Sequence, residues 1–77
     1  MGRSRLAVVI PAHREAASIG PIVAEARRHG EVIVVDDGSP DDTGELARAA
    51  GAAVIRNDEP MGYEGALARG FREADEA

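Results

Sequence analysis

Glu31-Val32-Ile33-Val34-Val35-Asp36-Asp37-Gly38-Ser39-Pro40 gives the clearest indication of the fold in this sequence. Its first half, residues 31–35, is a short and nearly continuous apolar run, which is typical of a strand buried on both faces in a parallel sheet. Its second half is a dense cluster of turn residues. The stretch therefore predicts a buried parallel strand that ends in a polar, acidic loop.

Two further strands are predicted on either side of this stretch. Residues 6–10 form a continuous apolar run that stops at Pro11, and the missing N–H of proline is expected to end the strand there. Residues 52–55 form the third strand, and the loop that follows it covers residues 57–62.

Three helices are predicted between and after these strands. The first follows an N-cap at Ser18 and continues through residues 27–29 to Gly30, the second begins at Asp41 or Asp42 and reaches about residue 50, and the third covers residues 63–77. Strands and helices that alternate at this spacing imply βαβ units with right-handed crossovers. We therefore predict an α/β fold: a three-layer, Rossmann-like βαβαβα parallel sheet.

Composition excludes several classes of partner. The 77 residues carry a formal net charge of −5 and include no cysteine. An acidic chain without a basic stripe is not expected to bind nucleic acid, and a chain without cysteine forms no disulfide and no thiolate metal site.

No apolar run approaches the roughly 20 residues of a membrane span, and residues 1–6 lack the apolar region of a signal peptide. A cytoplasmic location is expected, with membrane association left open to regions beyond residue 77.

The three loops predicted after the strands are the candidates for chemistry. Ligands of open parallel sheets bind beyond the carboxyl ends of the strands, and residues 11–17, 36–41 and 57–62 all reach that edge. Side chains alternate along a strand, so Asp36 and Asp37 point in different directions. One carboxylate is expected to face the crevice, where a hydrogen bond from a nucleobase or ribose contributes about 1.5–3 kcal/mol. An ordinary turn rich in aspartate remains the alternative.

Three motifs in this order resemble the N-terminal part of family 2 glycosyltransferases, which have the GT-A fold. They are Val8-Val9-Ile10-Pro11-Ala12 with Glu15, then Val34-Val35-Asp36-Asp37-Gly38-Ser39-Pro40-Asp41-Asp42-Thr43, then Gly62-Tyr63 with Gly65-Ala66-Leu67 and Gly70. The resemblance extends from residue 6 to residue 74. It is nearest to the branch of dolichyl-phosphate mannose synthase and bacterial polyprenyl-phosphate sugar transferases.

The resemblance implies an enzyme that transfers a sugar from a UDP- or GDP-sugar to a lipid-phosphate or saccharide acceptor. It also implies that the nucleotide is bound at the ends of the first two strands, with Asp37 bonding the base and residues 60–65 near the phosphates. The nucleotide-binding residues implied in this sequence are Pro11, Ala12, His13, Glu15, Val35, Asp37 and Gly38.

The metal and the catalytic residues of the family are expected elsewhere. By the resemblance, Mg²⁺ or Mn²⁺ binds an Asp-x-Asp motif after a fourth strand, beyond residue 77, and the general base follows later still. Residues 1–77 are therefore expected to be the nucleotide-binding part of a longer domain, with no catalytic or metal-binding residue, and to be inactive alone.

This sequence departs from the family pattern in its loops. His13-Arg14 stands where the family usually has Tyr-Asn, and Pro60 stands where it usually has Asn. His13 is expected to stack on the base or to bond it. The charge of Arg14 is expected to reach a phosphate or to remain in solvent.

Three other classes of protein are alternatives to this interpretation. A dinucleotide-binding oxidoreductase needs a glycine-rich turn after the first strand, and residues 11–17 contain no glycine. A signalling receiver domain carries its acidic pair after the first strand and needs a lysine, whereas here the pair follows the second strand and all basic residues are arginine. A non-catalytic nucleotide-binding or scaffold domain remains as an alternative.

Overall fold

The structure, a computed structural model, describes residues 6–76. The expectations for residues 1–5 and for the last residue of the third helix lie outside the described residues. Three strands and three helices alternate along the described chain, in the order β1 (Ala7–Ala12), α1 (Ile19–Ala26), β2 (Glu31–Asp37), α2 (Thr43–Ala49), β3 (Ala53–Asn57) and α3 (Gly62–Glu76). None of these helices is both long and apolar enough to cross a membrane.

The strands form one parallel sheet in the order β1-β2-β3. Helices α1 and α2 contact each other, and α2 packs on β2 and β3, while α3 packs on β1 and β2. Because the sheet lies between these two helical layers, the described residues form the predicted three-layer, Rossmann-like arrangement. The predicted fold class is confirmed.

The hydrophobic core lies between the sheet and the layer of α1 and α2. Val32 and Val34 point to this side from β2, and both are buried. A fully buried side chain of this size contributes about 1.5–3 kcal/mol through the water-accessible area it loses. The other buried members of the cluster are Ala12, Ile19, Val23, Ala47 and Ala52.

Strand β1 continues through Pro11 and Ala12, so the prediction that Pro11 ends the strand is wrong. In a parallel strand, successive residues direct their peptide groups to opposite sides. Glu31 N donates to Leu6 O, so Leu6 faces β2, and Pro11, an odd number of residues later, faces away from it. Within residues 6–76 β1 is an edge strand, where the missing N–H of proline removes no ladder bond.

Strands β2 and β3 also extend further than predicted. Asp36 pairs in register with Arg56, and Asp37 pairs with Asn57, so these polar residues belong to the ladder and not to the loops. Polar side chains are compatible with a strand end here because each finds a partner on its neighbour. The sheet therefore carries its acidic pair inside β2, directly at the carboxyl edge.

The helices are close to their predicted positions, with differences at their ends. Helix α1 ends at Ala26, so residues 27–29 follow the helix instead of forming its last turn. Ser18 and Asp42 occupy the N-cap positions without a side-chain capping bond. At the start of α2 the carboxylate of Asp41 instead accepts from the backbone N–H and the hydroxyl of Thr43.

Helix α3 lies close to the sheet because its inner face carries small residues. Ala66 is buried, and a Cβ added at Gly70 would overlap Val9 Cγ1 and lie 3.0 Å from Val35 Cγ2. Gly70 therefore sets the distance between the helix and the sheet.

We expect Gly70→Ala to lower the free energy of unfolding by about 1–3 kcal/mol, because the added methyl group must push α3 away from Val9. Gly20→Ala is the matched control: Gly20 lies in α1, where an added Cβ meets nothing within 4 Å. There the same change is expected to stabilise the fold by up to about 1 kcal/mol through helix propensity. Urea unfolding measures both effects, and equal stability of the two variants would contradict the close packing of α3.

Candidate functional site

Three loops meet at the carboxyl edge of the sheet, and two of them are joined by hydrogen bonds between side chains and backbone groups. His13 Nδ1 donates to the carbonyl oxygen of Asp37 at 2.9 Å. The backbone N–H of Arg14 donates to Ser39 Oγ, also at 2.9 Å. These bonds tie the loop after β1 to the end of β2.

A third bond extends this tie to α2. The backbone N–H of Glu15 donates to Thr43 Oγ1 at 2.9 Å. Ser39 and Thr43 are almost completely buried, so their hydroxyls act as internal acceptors for the loop after β1. Sequence analysis did not identify either residue as a partner of that loop, because these contacts join residues far apart in the chain.

Arg14 holds an unusual backbone conformation in the loop after β1. Its φ is 57°, in the left-handed region that residues other than glycine rarely adopt. The bond from its N–H to Ser39 Oγ accompanies this conformation. A residue other than glycine in this conformation lowers the stability of the fold by on the order of 1–3 kcal/mol, and such residues recur at functional sites. The conformation of Arg14 therefore marks this loop as part of a candidate functional site.

The carboxylate of Asp36 is buried against the α2 side of the sheet and is paired there. Arg56 Nη1 donates to Asp36 Oδ2 at 2.7 Å, and the backbone N–H of Ser39 donates to Asp36 Oδ1 at 3.0 Å. Arg56 Nη2 also donates to the carbonyl oxygen of Ser39 at 2.9 Å. Asp36 therefore fixes the turn after β2.

The carboxylate of Asp37 points to the opposite side, toward the loop before α3. Asn57 Nδ2 donates to Asp37 Oδ1 at 2.8 Å, and so does the backbone N–H of Met61, also at 2.8 Å. The backbone N–H of Gly62 donates to Oδ2 at 3.0 Å. Asp37 is 6% exposed. Its carboxylate is thus the anchor of the β3–α3 loop.

These contacts displace the pKa of Asp37. Burial alone would raise the pKa of this carboxyl group above its ordinary value of 3.8. The hydrogen bonds from Asn57, Met61 and Gly62, together with the charge of His13, outweigh burial and leave the pKa of Asp37 below that value. The ionised form is therefore the one that the fold stabilises.

Asp41 is held ionised in a similar way at the start of α2. The hydroxyl of Thr43 is the largest cause that lowers the pKa of Asp41, burial opposes it, and the backbone N–H groups of Thr43 and Ala16 add to the lowering. Ala16 belongs to the loop after β1, so Asp41 is one more link between the two loops.

Asn57 and Arg69 extend the contacts of Asp37 toward α3. Asn57 is buried, and its Oδ1 accepts a hydrogen bond from Arg69 Nη1. The guanidinium of Arg69 therefore turns from the surface of α3 toward the sheet, a contact that sequence analysis did not predict. One feature of the sequence could have indicated these contacts. The pair Arg56-Asn57 lies opposite Asp36-Asp37 when both strands are extended to their observed ends.

The predicted nucleotide-binding residues occupy three kinds of position. His13 is exposed, and Pro11, Glu15 and Gly38 are half-buried, with Gly38 at a φ of 76°. The remaining side chains are buried. Pro11 and Val35 are neighbours in the β1–β2 register. The structure thus brings the predicted residues to one edge, and their contact with a nucleotide stays a prediction.

A concavity near this edge lies beside the predicted residues. A cavity of ≈ 350 Å³ is lined on the α2 side by Asp36, Ser39, Arg48 and Arg56, among others. None of the predicted nucleotide-binding residues lines it. We call the surface of His13, Glu15 and Gly38, which lies outside this cavity, the ledge.

The described residues do not offer a metal site. Within residues 6–76 no three side chains of His, Cys, Asp or Glu are grouped so that they could hold a metal ion. The carboxylates of Asp36 and Asp37 are directed to opposite sides of the sheet and are bonded to Arg56 and Asn57. A divalent cation does not fit the donor set present here.

A parallel sheet with polar loops joined at its carboxyl edge defines an α/β protein of the Rossmann-like class, whose ligands bind at that edge. The sequence model "Glycosyl transferase family 2" matches residues 7–77. The chain belongs to this family. Membership excludes the oxidoreductase and receiver alternatives.

Two proteins and one crystal structure illustrate the similarity. An uncharacterized protein of Methanocaldococcus jannaschii is 35% identical over 74 residues, which cover 94% of this chain and 30% of that protein. A dolichyl-phosphate hexose transferase of Haloferax volcanii is 45% identical over 62 residues, 75% of this chain and 26% of that protein. Glucosyl-3-phosphoglycerate synthase of Mycobacterium tuberculosis, crystallised with phosphoglyceric acid, superposes with a TM-score of 0.63 at 37% identity, over 68% of this chain and 20% of that one.

The chain therefore spans less than a third of the length of each of these relatives.

Proposed function

We propose that this chain supplies the nucleoside pocket of a glycosyltransferase that uses nucleotide-sugar donors. The observation that carries the proposal is the joining of the loop after β1 to the end of β2 by the bond from His13 to Asp37 O. This bond joins the two segments into one continuous polar ledge at the carboxyl edge of the sheet, where ligands of this fold class bind. Membership of glycosyl transferase family 2 supplies the reaction class.

Each predicted residue has a place in this proposal. His13 and Glu15 offer polar side chains to the base and the ribose from the ledge, and Gly38 lets a ligand approach the backbone. Pro11 and Val35 are register neighbours, and together with Ala12 they are proposed to support the ledge from the sheet. The proposed role of Asp37 is to bond the base or, through its bonds to the β3–α3 loop, to hold the rim of the pocket.

The donor is proposed to be a UDP- or GDP-sugar and the acceptor a lipid phosphate or a saccharide. The name of the Haloferax volcanii relative, a dolichyl-phosphate hexose transferase, supports a lipid-phosphate acceptor, as does the likeness to dolichyl-phosphate mannose synthase and polyprenyl-phosphate sugar transferases. The Mycobacterium tuberculosis synthase was crystallised with phosphoglyceric acid, which is not a lipid phosphate.

We propose that Mg²⁺ or Mn²⁺ serves the whole enzyme and that its ligands lie outside residues 6–76. An acidic edge cannot hold a diphosphate without a cation, and the described residues form no group that would bind one. This segment by itself is then a nucleoside-binding unit and not a catalyst, and sugar transfer by the 77-residue chain would contradict that.

Binding of UDP and GDP to the chain, followed by calorimetry, tests the proposal. Glu15→Ala is expected to weaken binding at least about tenfold, because the variant loses a charged acceptor for the ribose hydroxyls. Glu25→Ala is the matched control, since Glu25 is exposed on α1 and pairs with Arg28 and His29. The proposal fails when neither nucleotide binds, or when both variants bind like the unmodified chain.

A further inference from the structure

The loop between β3 and α3, residues 58–61, contacts the ledge at Gly38. A Cβ added at Gly38 would lie 2.9 Å from Cδ of Pro60, so the loop lies directly against the end of β2. A shift of this loop therefore changes the shape of the ledge. The contacts that hold the loop in place matter for any ligand that binds there.

The loop is held at its end by a single carboxylate. The backbone N–H groups of Met61 and Gly62 both donate to the side chain of Asp37. These two bonds place the loop only as precisely as the carboxylate itself is oriented. Asn57 provides that orientation, because its Nδ2 donates to Asp37 Oδ1 at 2.8 Å.

The amide of Asn57 can take only one orientation in this arrangement. Its Oδ1 accepts from Arg69 Nη1 on α3, and its Nδ2 donates to Asp37. A guanidinium only donates and an ionised carboxylate only accepts, so turning the amide over would break both bonds. Asn57 is also buried, so water does not replace either partner. Arg69 therefore determines which end of the amide faces Asp37.

We propose that Arg69 is a positioning residue for ligand binding: through Asn57 it orients the Asp37 carboxylate and thereby sets the β3–α3 loop against the ledge. The inference rests on the proposed function. The guanidinium belongs to α3, which packs on β1 and β2, so the position of the loop is coupled to that of the helix. Loss of Arg69 then weakens ligand binding without removing a group from the ledge.

Hydrogen exchange of the Met61 and Gly62 amides, measured without nucleotide, tests the first half of this inference. Arg69→Met removes the donors and keeps most of the aliphatic stem. It is expected to raise both exchange rates at least about fivefold, because the carboxylate loses its fixed orientation. Arg69→Lys keeps a donor for Asn57 Oδ1 and is expected to restore most of the protection. Arg72→Met, at an exposed position of the same helix, is the control and is expected to change neither rate.

A double-mutant cycle tests whether Arg69 acts through Asn57. In an Asn57→Ala background, Arg69→Met is expected to change the exchange of the two loop amides by less than about twofold, because the connection is already broken. An equal effect of Arg69→Met in both backgrounds overturns the inference. Exchange that Arg69→Met leaves unchanged in the otherwise unmodified chain also overturns it.

A spectroscopic measurement decides the same point if Asn57→Ala does not fold. In ¹⁵N spectra of the unmodified chain, one side-chain amide hydrogen of Asn57 is expected to exchange slowly, because it is bonded to Asp37. In Arg69→Met this resonance is expected to shift and to exchange faster. A side-chain amide resonance that the substitution does not affect would overturn the inference.

Titration with UDP and GDP tests the second half. Arg69→Met is expected to weaken binding of the nucleotide that the chain prefers at least about fivefold, and Arg72→Met is expected to leave its affinity unchanged. Faster loop exchange with unchanged affinity overturns the positioning role and leaves the proposed function standing. Absence of nucleotide binding by the unmodified chain overturns the proposed function and this inference together.

Discussion

Asp37→Ala is expected to lower the free energy of unfolding by about 3 kcal/mol, among the largest effects of any single substitution in the chain. The change leaves three donors without their acceptor, the amide of Asn57 and the backbone N–H groups of Met61 and Gly62. Each donor left unsatisfied costs about 1–3 kcal/mol, and those near the surface recover part of this from water. Urea unfolding measures the loss.

The effect of Asp37→Ala should depend on pH with a defined sign. The pKa of Asp37 is lower in the folded chain than its ordinary value of 3.8, so the ionised carboxylate contributes its full stabilisation above that pH. The contribution declines as the pH falls below 3.8 and is lost below the folded pKa. The stability difference between the unmodified chain and Asp37→Ala therefore shrinks in acid.

Asp58→Ala, at an exposed loop position, is the control, and its free energy of unfolding is expected to lie within about 0.5 kcal/mol of that of the unmodified chain. A difference that grows in acid would contradict this account.

Arg56→Met is expected to lower the free energy of unfolding by about 2–3 kcal/mol. The substitution removes the charge that lies 2.7 Å from Asp36 Oδ2 and keeps most of the aliphatic stem. Asp36 is 1% exposed, so its carboxylate remains buried without its partner, which costs about 3–5 kcal/mol in fully buried pairs. The side chain of Arg56 is 50% exposed, so water replaces part of the lost interaction.

A double-mutant cycle isolates the pair of Asp36 and Arg56. Asp36→Asn in the Arg56→Met background is expected to cost less than Asp36→Asn alone, because it then removes a buried carboxylate that has already lost its partner. Arg48→Met, at an exposed arginine of α2, is the matched control and is expected to change stability by at most about 0.5 kcal/mol. Strict additivity of the two substitutions would show that the ion pair does not hold the turn after β2.

The overall architecture could be predicted from the sequence because it depends on local patterns. The apolar runs around Val9, Val34 and Val54 and the helical segments between them are enough to imply βαβ units and a parallel sheet. The strand ends could not be predicted in the same way. Asp36 and Asp37 have turn propensity, and only their partners on β3, Arg56 and Asn57, extend the ladder to include them.

The position of the candidate site could also be predicted, but its internal bonds could not. Placing polar loops at the carboxyl edge needs only the direction of the strands. The bonds from His13 to Asp37 O, from Arg14 N to Ser39 Oγ and from Glu15 N to Thr43 Oγ1 join residues 24 to 28 positions apart. No local pattern encodes such contacts. For the same reason the sequence did not reveal that the Asp37 carboxylate anchors the β3–α3 loop.

The central claim, that the nucleotide binds on the ledge at the carboxyl edge of the sheet, is tested most directly by mapping amide shifts in ¹⁵N-labelled chain during titration with UDP and GDP. We predict that one of the two nucleotides shifts the amide resonances of His13, Glu15 and Gly38. The amides of Arg28 and Gly30, at the amino-terminal end of β2, are expected to stay in place. Shifts confined to the region of Arg28 and Gly30, or none with either nucleotide, would contradict the claim.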